Sequence, residues 1–484
     1  MDAVTRLRCW WQKPSGTSAS HDASVKDDPD TRGSSVKFRT IDIQNVAVGY
    51  VCLWATSPLL AYGTVYRVAA VAAVAIWALL EMSRPGGVFS RPTLPIILAL
   101  FFVAYTAVIE TMLGSDQDFA WHIQPWIMLF FLIFYESRRD NVRSMAPIFW
   151  VLMATLPIWY FTTFTAFDQY GTHTARMLTR SSEEAQVRAA EGVGGYGLIY
   201  SIVVILPAVA LLLLNYRRFL PLREPAWLVP LSRIPLLFPA LIAANLVLGI
   251  ALVVRAGFSI AIILLFISVM LSLAFKRRSP LMLTLLPLFV VLAYLLAQIA
   301  LVPLLEVILP LAEGTPYYRK VLDVIETIES DQSQGTFNDR WVLYVRSFEL
   351  FVQNPVFGVL SAADVGKHSA YLDTFARYGV LVGSVFVYLL TYLPVRMMRG
   401  MRDNFGLAFS VLAIMVLLPL VNDVFASLGV MLFIMVPVAC DLVERSRTAS
   451  PLPRRKGLRI RWTARPDPVG HRPRRLTGPG GGRA

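Results

Sequence analysis

Few residues in this sequence have both the chemistry and the setting to act on another molecule. Arg255 stands between two apolar blocks. Arg340 and Arg346 are interleaved with Trp341, Val345, Phe348 and Val352, which recur at three- and four-residue spacing. His368 follows, beyond Asn354-Pro355 and Gly358. A guanidinium is always charged and can bond two oxygens of one anion. An imidazole that is neutral near pH 7 can take a proton from a hydroxyl. Each residue also has a plainer explanation. An arginine at a span end snorkels to the interface, another can flank an amphipathic helix, and a lone histidine is more often a surface residue than a base. Other chemistries lack their residues. Of the 3 cysteines, Cys9 lies in a terminal segment and Cys52 and Cys440 in apolar blocks, so no disulfide framework or thiolate metal site is supported. There is no Walker A sequence and no HExxH. With 5 histidines in all, and no carboxylate pair at metal-binding spacing between 311 and 375, neither a metal nor another cofactor is expected.

The elements that must hold these residues are membrane spans. The chain has 484 residues, of which 56% are hydrophobic and 16% charged, and its mean hydropathy is +0.57. A water-soluble chain of this length needs far more charged surface. Crossing the hydrocarbon takes about 20 apolar residues as a helix, because nothing else there satisfies the backbone. Such blocks fall at 45–61, 65–82, 93–112, 121–136, 145–165, 195–214, 236–254, 258–275, 281–309, 376–394, 405–422 and 427–443. The expected fold is therefore all-α, a polytopic membrane bundle of about twelve spans. Its first two spans are divided only by Tyr62-Gly63-Thr64.

Cations in the short loops orient the bundle. One set of alternate loops carries Arg84 and Arg91; Arg138, Arg139 and Arg143; Arg217, Arg218, Arg223 and Arg233; Lys276, Arg277 and Arg278; and Arg396, Arg399 and Arg402. The opposite turns carry mainly acids, Glu110, Asp116, Asp118 and Asp423. Both termini are thus expected in the cytoplasm. The net charge of +13 is concentrated in these loops and in the C-terminal segment. Attraction to anionic lipid accounts for that placement, and a nucleic-acid partner is excluded. The expected order is a disordered N-terminal tail (1–44), spans one to nine (45–310), an outer loop (311–375), spans ten to twelve (376–444) and a disordered basic tail (445–484). No apolar stretch precedes residue 45, so no signal peptide is expected.

This orientation places three segments on the outer face: 166–194, the turn at Arg255, and 311–375. In the last, an amphipathic helix is expected over 341–352, ended by Asn354-Pro355, with a second helical pattern running from His368 into span ten. The helix could lie in the interface or roof a cavity over the outer ends of the spans.

Asp339-Arg340-Trp341, then Phe351-Val352-Gln353-Asn354-Pro355-Val356-Phe357-Gly358, then Lys367-His368-Ser369-Ala370-Tyr371-Leu372-Asp373 and Tyr378-Gly379-Val380-Leu381 together resemble the O-antigen ligase and polymerase superfamily. Three positions depart from that pattern. Ser369 stands where asparagine often follows the histidine, Leu360 where a second glycine is usual, and Val254 where a serine commonly precedes the arginine.

The resemblance implies a metal-independent, inverting membrane glycosyltransferase that moves glycan from an undecaprenyl-diphosphate carrier to an acceptor hydroxyl. It implies His368 as general base and Arg255 and Arg340 as the diphosphate clamp, with Arg346 a weaker candidate on residue type alone. The partners would be the lipid-linked oligosaccharide, a glycan acceptor and the bilayer, with a chain-length regulator and a flippase alongside. The location would be the bacterial inner membrane, with the active site outside. A polymerase of O-antigen, capsule or exopolysaccharide is preferred. A ligase onto lipid A-core shares the donor chemistry. A transporter of lipid-linked sugars is the distant alternative, although no internal repeat is found.

Overall fold

Apolar runs that cannot bond water must satisfy their own backbones, and here they do so as helices. The computed structural model describes residues 40–61, 63–113, 116–171, 183–219, 236–275, 336–361, 365–366, 368–400 and 405–448, with isolated positions between 305 and 325. Among these residues there is helix and no strand. In chain order the helices are α1 (Thr40–Thr56), α2 (Pro58–Ala61), α3 (Thr64–Met82), α4 (Leu94–Leu113), α5 (Asp116–Arg138), α6 (Ala146–Tyr170) and α7 (Glu183–Ala190). They continue with α8 (Tyr196–Phe219), α9 (Leu237–Ala256), α10 (Ser259–Ala274), α11 (Thr336–Gln353), α12 (Ala370–Gly400) and α13 (Phe405–Val421). Finally α14 (Ala426–Val430) runs through a π-helical turn, Met431–Met435, into α15 (Val436–Thr448).

Seven helices among the described residues are long and apolar enough to cross a membrane, and α10 and α13 are shorter apolar ones. Helices thus occupy the expected blocks from 45 to 275 and from 376 to 443. Most of the block 281–309, Tyr62 at the tight turn, and the terminal tails before residue 40 and after 448 lie outside the described residues.

Residues 44–484 form one unit. At its centre is the helix from Ala426 to Glu444, 94% of whose apolar window is buried, whereas the figure for α3 is 22%. On α3 and α4, Val65, Val68, Val71, Leu79, Leu94 and Ile97 point outward. An outward face this apolar is unsuited to water and suits hydrocarbon, so the helices are those of a membrane-embedded protein.

Helix α12 is broken, and the break organises everything near His368. Gly379 has φ 75° and ψ −176°, a conformation essentially confined to glycine. The break frees carbonyls that a continuous helix would use, and the chain just after α11 takes them. Val359 N donates to Ala376 O and Leu360 N to Arg377 O, both at 2.9 Å, while Val380 N donates to Pro355 O at 2.8 Å. The approach is so close that a Cβ on Gly379 would collide with the Val356 carbonyl, and one on Gly358 with the Arg377 carbonyl. Both glycines of the family-like motifs are therefore backbone requirements.

Leu360 lies in the same strap and has φ 59°, the left-handed region. It occupies the place where the resemblance expects a second glycine. A left-handed leucine costs roughly 1–2 kcal/mol. Leu360→Gly is therefore expected to leave thermal stability unchanged or raise it by up to ~1 kcal/mol, after allowance for glycine's extra unfolded-state entropy. Thermal melting of the purified protein tests this, and a loss above about 2 kcal/mol, the cost of an ordinary buried leucine truncation, would show that the side chain matters more than the strain.

Two buried carboxylates have partners. Glu110, expected in an acidic turn, instead lies buried within α4. It pairs with Arg377 at 2.5 Å and accepts a bond from the Tyr378 hydroxyl at 2.6 Å. Toward the far end of α12, buried Glu136 accepts from Thr93 (2.7 Å), Tyr392 (3.0 Å), Arg139 (3.2 Å) and Arg396 (3.4 Å). A buried carboxylate needs such donors to offset its lost hydration.

Candidate functional site

On α11, Arg340, Tyr344 and Ser347 recur at helical spacing along the side turned to α12. Trp341, Phe348 and Val352 are exposed on the other side. The expected amphipathic helix is present, from Thr336 to Gln353, and its polar side makes the inward contacts.

Ser347 begins the clamp that holds the histidine loop. Its hydroxyl accepts from Gly366 N (3.0 Å) and donates to Asp373 Oδ1 (2.6 Å). Asp373 Oδ2 accepts from Ser369 N (3.0 Å), and Ser369 Oγ accepts from Leu372 N (3.1 Å) and donates to Pro419 O (3.3 Å). Ser369 is thus the N-cap of α12, a role serine and asparagine fill equally well, which accounts for one departure from the family pattern. Ala370 N donates to Asn422 O (3.1 Å), tying the cap to the turn between α13 and α14. His368 sits between Gly366 and Ser369, fixed on both sides.

The clamp brings His368 and Arg340 into one cluster. Burial, and after it the Arg340 charge, hold the imidazole below its usual value, so His368 is neutral at pH 7. Arg340 also interacts with Tyr344, whose hydroxyl donates to Val421 O (2.8 Å), and with Tyr200 of α8. It makes no ion pair among the described residues, and its Nη1 is buried with no hydrogen-bond partner there. A buried guanidinium nitrogen without an acceptor is costly, and an anionic ligand oxygen would satisfy it.

Asp423 completes the cluster from the α13–α14 turn. Burial, and then the Asp373 carboxylate, push it up to about 7 against the pull of Arg340. The unfolded value is about 3.9, so folding takes up a proton between the two. The stability tied to this proton is complete below the unfolded value and is lost as pH rises through about 7. Asp423→Asn is therefore expected to raise the melting temperature more at pH 8 than at pH 5. Equal shifts at the two pH values would contradict this.

The other expected residues are placed differently. Arg255, at the end of α9, donates from Nε (3.2 Å) and Nη2 (2.7 Å) to one oxygen of Asp168 on α6. Phe258, just beyond it, stacks on Tyr196 at 4.5 Å and on Tyr200 at 6.2 Å, so Arg255 lies at the Arg340 end of α8 without joining the cluster. Arg346 is exposed, about 240° round α11 from Arg340, and is not brought to His368. The side chains of Asp339 and Lys367 lie outside the described residues. Sequence reasoning missed Asp168, Tyr200, Tyr344 and Asn422, and placed Asp423 in an outer turn without giving it a role. The adjacent polar pair Asn422-Asp423 at the end of an apolar block was the one available signal.

Comparison with protein-family models, with curated proteins and with solved structures returns no match.

Proposed function

We propose that this chain is an inner-membrane glycosyltransferase that lengthens a surface polysaccharide from an undecaprenyl-diphosphate-linked donor. In this reading about twelve spans cross the bilayer with both termini inside, and the α11–α12 cluster faces outward. The observation that carries it is the buried Arg340 Nη1, which has no acceptor among the described residues, close enough to His368 for its charge to help hold the imidazole below its usual value. A transfer of this kind needs both. The acceptor hydroxyl attacks the anomeric carbon as its proton passes to the imidazole. The bond from that carbon to the diphosphate oxygen breaks, and the lipid diphosphate leaves with added negative charge, which the guanidinium meets. Direct displacement inverts the anomeric centre. Arg255 would act in diphosphate capture at the same end, in exchange for its bond to Asp168.

The test is reconstitution of the full chain in liposomes with lipid-diphosphate-linked repeat units. Growth of chains on the carrier supports the polymerase reading. Transfer only onto added lipid A-core assigns a ligase instead. Translocation of the donor with no new glycosidic bond would overturn the enzyme reading in favour of transport.

A further inference from the structure

Two buried donors in this cluster, not one, lack an acceptor among the described residues: Arg340 Nη1 and Asn422 Nδ2. Asn422 is 8% exposed, in the turn that follows α13. Its amide has a defined orientation, because Oδ1 accepts from Asp423 N at 3.0 Å and the donor nitrogen must therefore point the other way. Its backbone is held as well, since its carbonyl accepts from Ala370 N at 3.1 Å. Arg340 interacts with Tyr344, whose hydroxyl donates to the carbonyl of Val421, next to Asn422, at 2.8 Å, and Tyr200 senses both Arg340 and Asn422, so the two donors lie in one neighbourhood. The Tyr200 hydroxyl offers Asn422 a contact short of full hydrogen-bond geometry, and no acceptor among the described residues gives Nδ2 that geometry.

A buried donor left without an acceptor is destabilising, and two in one neighbourhood suit an added acceptor. Among the described residues no carboxylate fills the gap: Asp423 meets Asn422 through its backbone N at Oδ1, and no ion pair joins Arg340 to Asp373 or Asp423. No acceptor among the described residues meets either donor. One charged and one neutral donor suit an oxygen bearing partial negative charge, as on a phosphate group.

We infer that Arg340 Nη1 and Asn422 Nδ2 form a two-donor seat for a phosphate oxygen of the ligand, with Asn422 a binding residue in its own right. This rests on the transfer reading above, in which the ligand is the carrier diphosphate. Asn422 would hold the leaving group from the α13–α14 turn while Arg340 holds it from α11, and the Ala370–Asn422 bond would link that grip to the loop carrying His368. Asn422 is thus positioned to tie the departing phosphate to the base.

The test measures binding to full-length protein in nanodiscs, with undecaprenyl diphosphate, undecaprenol and inorganic pyrophosphate as probes. Asn422→Asp keeps the Oδ1 acceptor for Asp423 N and replaces the donor by a like charge. It is expected to weaken undecaprenyl diphosphate binding at least tenfold and to leave undecaprenol binding unchanged. Asn422→Ala, expected to weaken it severalfold, serves if the aspartate variant misfolds. Combined with Arg340→Ala, the Asn422 effect is expected to shrink, since two donors on one oxygen are coupled. Pyrophosphate binding that falls in step shows that the seat reads the diphosphate itself. Binding confined to the lipid form, and lost in the same variants, shows that it reads the headgroup at the bilayer. If both Asn422 variants bind undecaprenyl diphosphate as tightly as wild type while Arg340→Ala does not, the seat is overturned and the transfer reading stands. If Arg340→Ala also binds normally, both fall.

Discussion

Under the proposed transfer reading, replacing His368 by alanine is expected to slow glycan transfer by roughly 10²–10⁴-fold, the range for removal of a general base, while donor binding changes little. Two physical features set that expectation. The imidazole is held neutral, first by burial and then by Arg340, so at pH 7 it is already in the proton-accepting form. Its loop is clamped by Ser347, Asp373 and Ser369, so the base does not have to be ordered at each turnover. Arg340→Ala is expected to cost a similar 10²–10³-fold in rate, as loss of a preorganised donor does, and to weaken donor binding as well. Arg340→Lys restores the charge but not the planar fork and is expected to rescue poorly. The contrast between the two sites is diagnostic: His368→Ala acts on turnover, Arg340→Ala on both turnover and affinity. Single-turnover and steady-state rates in the reconstituted system separate these. Full activity in His368→Ala would remove the base from the mechanism.

The second large effect concerns a residue that touches no ligand. Gly379→Ala is expected to destabilise the protein by on the order of 3 kcal/mol or more, from loss of a glycine-only conformation together with a collision at the Val356 carbonyl. If the helix straightened to escape the clash, the bonds from Val359 and Leu360 to the Ala376 and Arg377 carbonyls would be lost. Those bonds fix the chain between α11 and the His368 loop. Any folded fraction is therefore expected to lose activity as well, even though Gly379 is no part of the chemistry. Thermal melting and monodispersity in detergent check the first effect, and transfer by the folded fraction checks the second. A variant as stable as wild type would show that the break at Gly379 is not obligatory.

The two effects differ in how far they could be foreseen. Gly358 and Gly379 stood out as letters of a pattern and Ser369 as a departure from it, but the reason for the glycines is the contact between α12 and the strap before it, and the reason for Ser369 is the capping of α12. The departure at Leu360 has a physical cost that only its backbone angle reveals.

Hydropathy alone located the apolar helices described between residues 45 and 275 and between 376 and 443, because a chain in hydrocarbon has no other way to satisfy its backbone. Helical spacing and Asn354-Pro355 likewise set the C-terminal end of α11 to within a residue, since both are local properties of the chain, whereas its start at Thr336 lies five residues before the expected 341. Partnership is not local. Glu110 and Tyr378 meet across 268 residues, Arg255 and Asp168 across 87, and nothing in the spacing of either pair announces it. Folding therefore separated arginines that looked alike in the sequence. Arg255 is bonded to a carboxylate, Arg346 is turned to the exposed side of its helix, and Arg340 alone of the three reaches the His368 cluster with a buried nitrogen to spare. Side-chain type and charge are written in the sequence. Whether a charge is already neutralised depends on what the rest of the chain packs against it, and that depends on the tertiary fold.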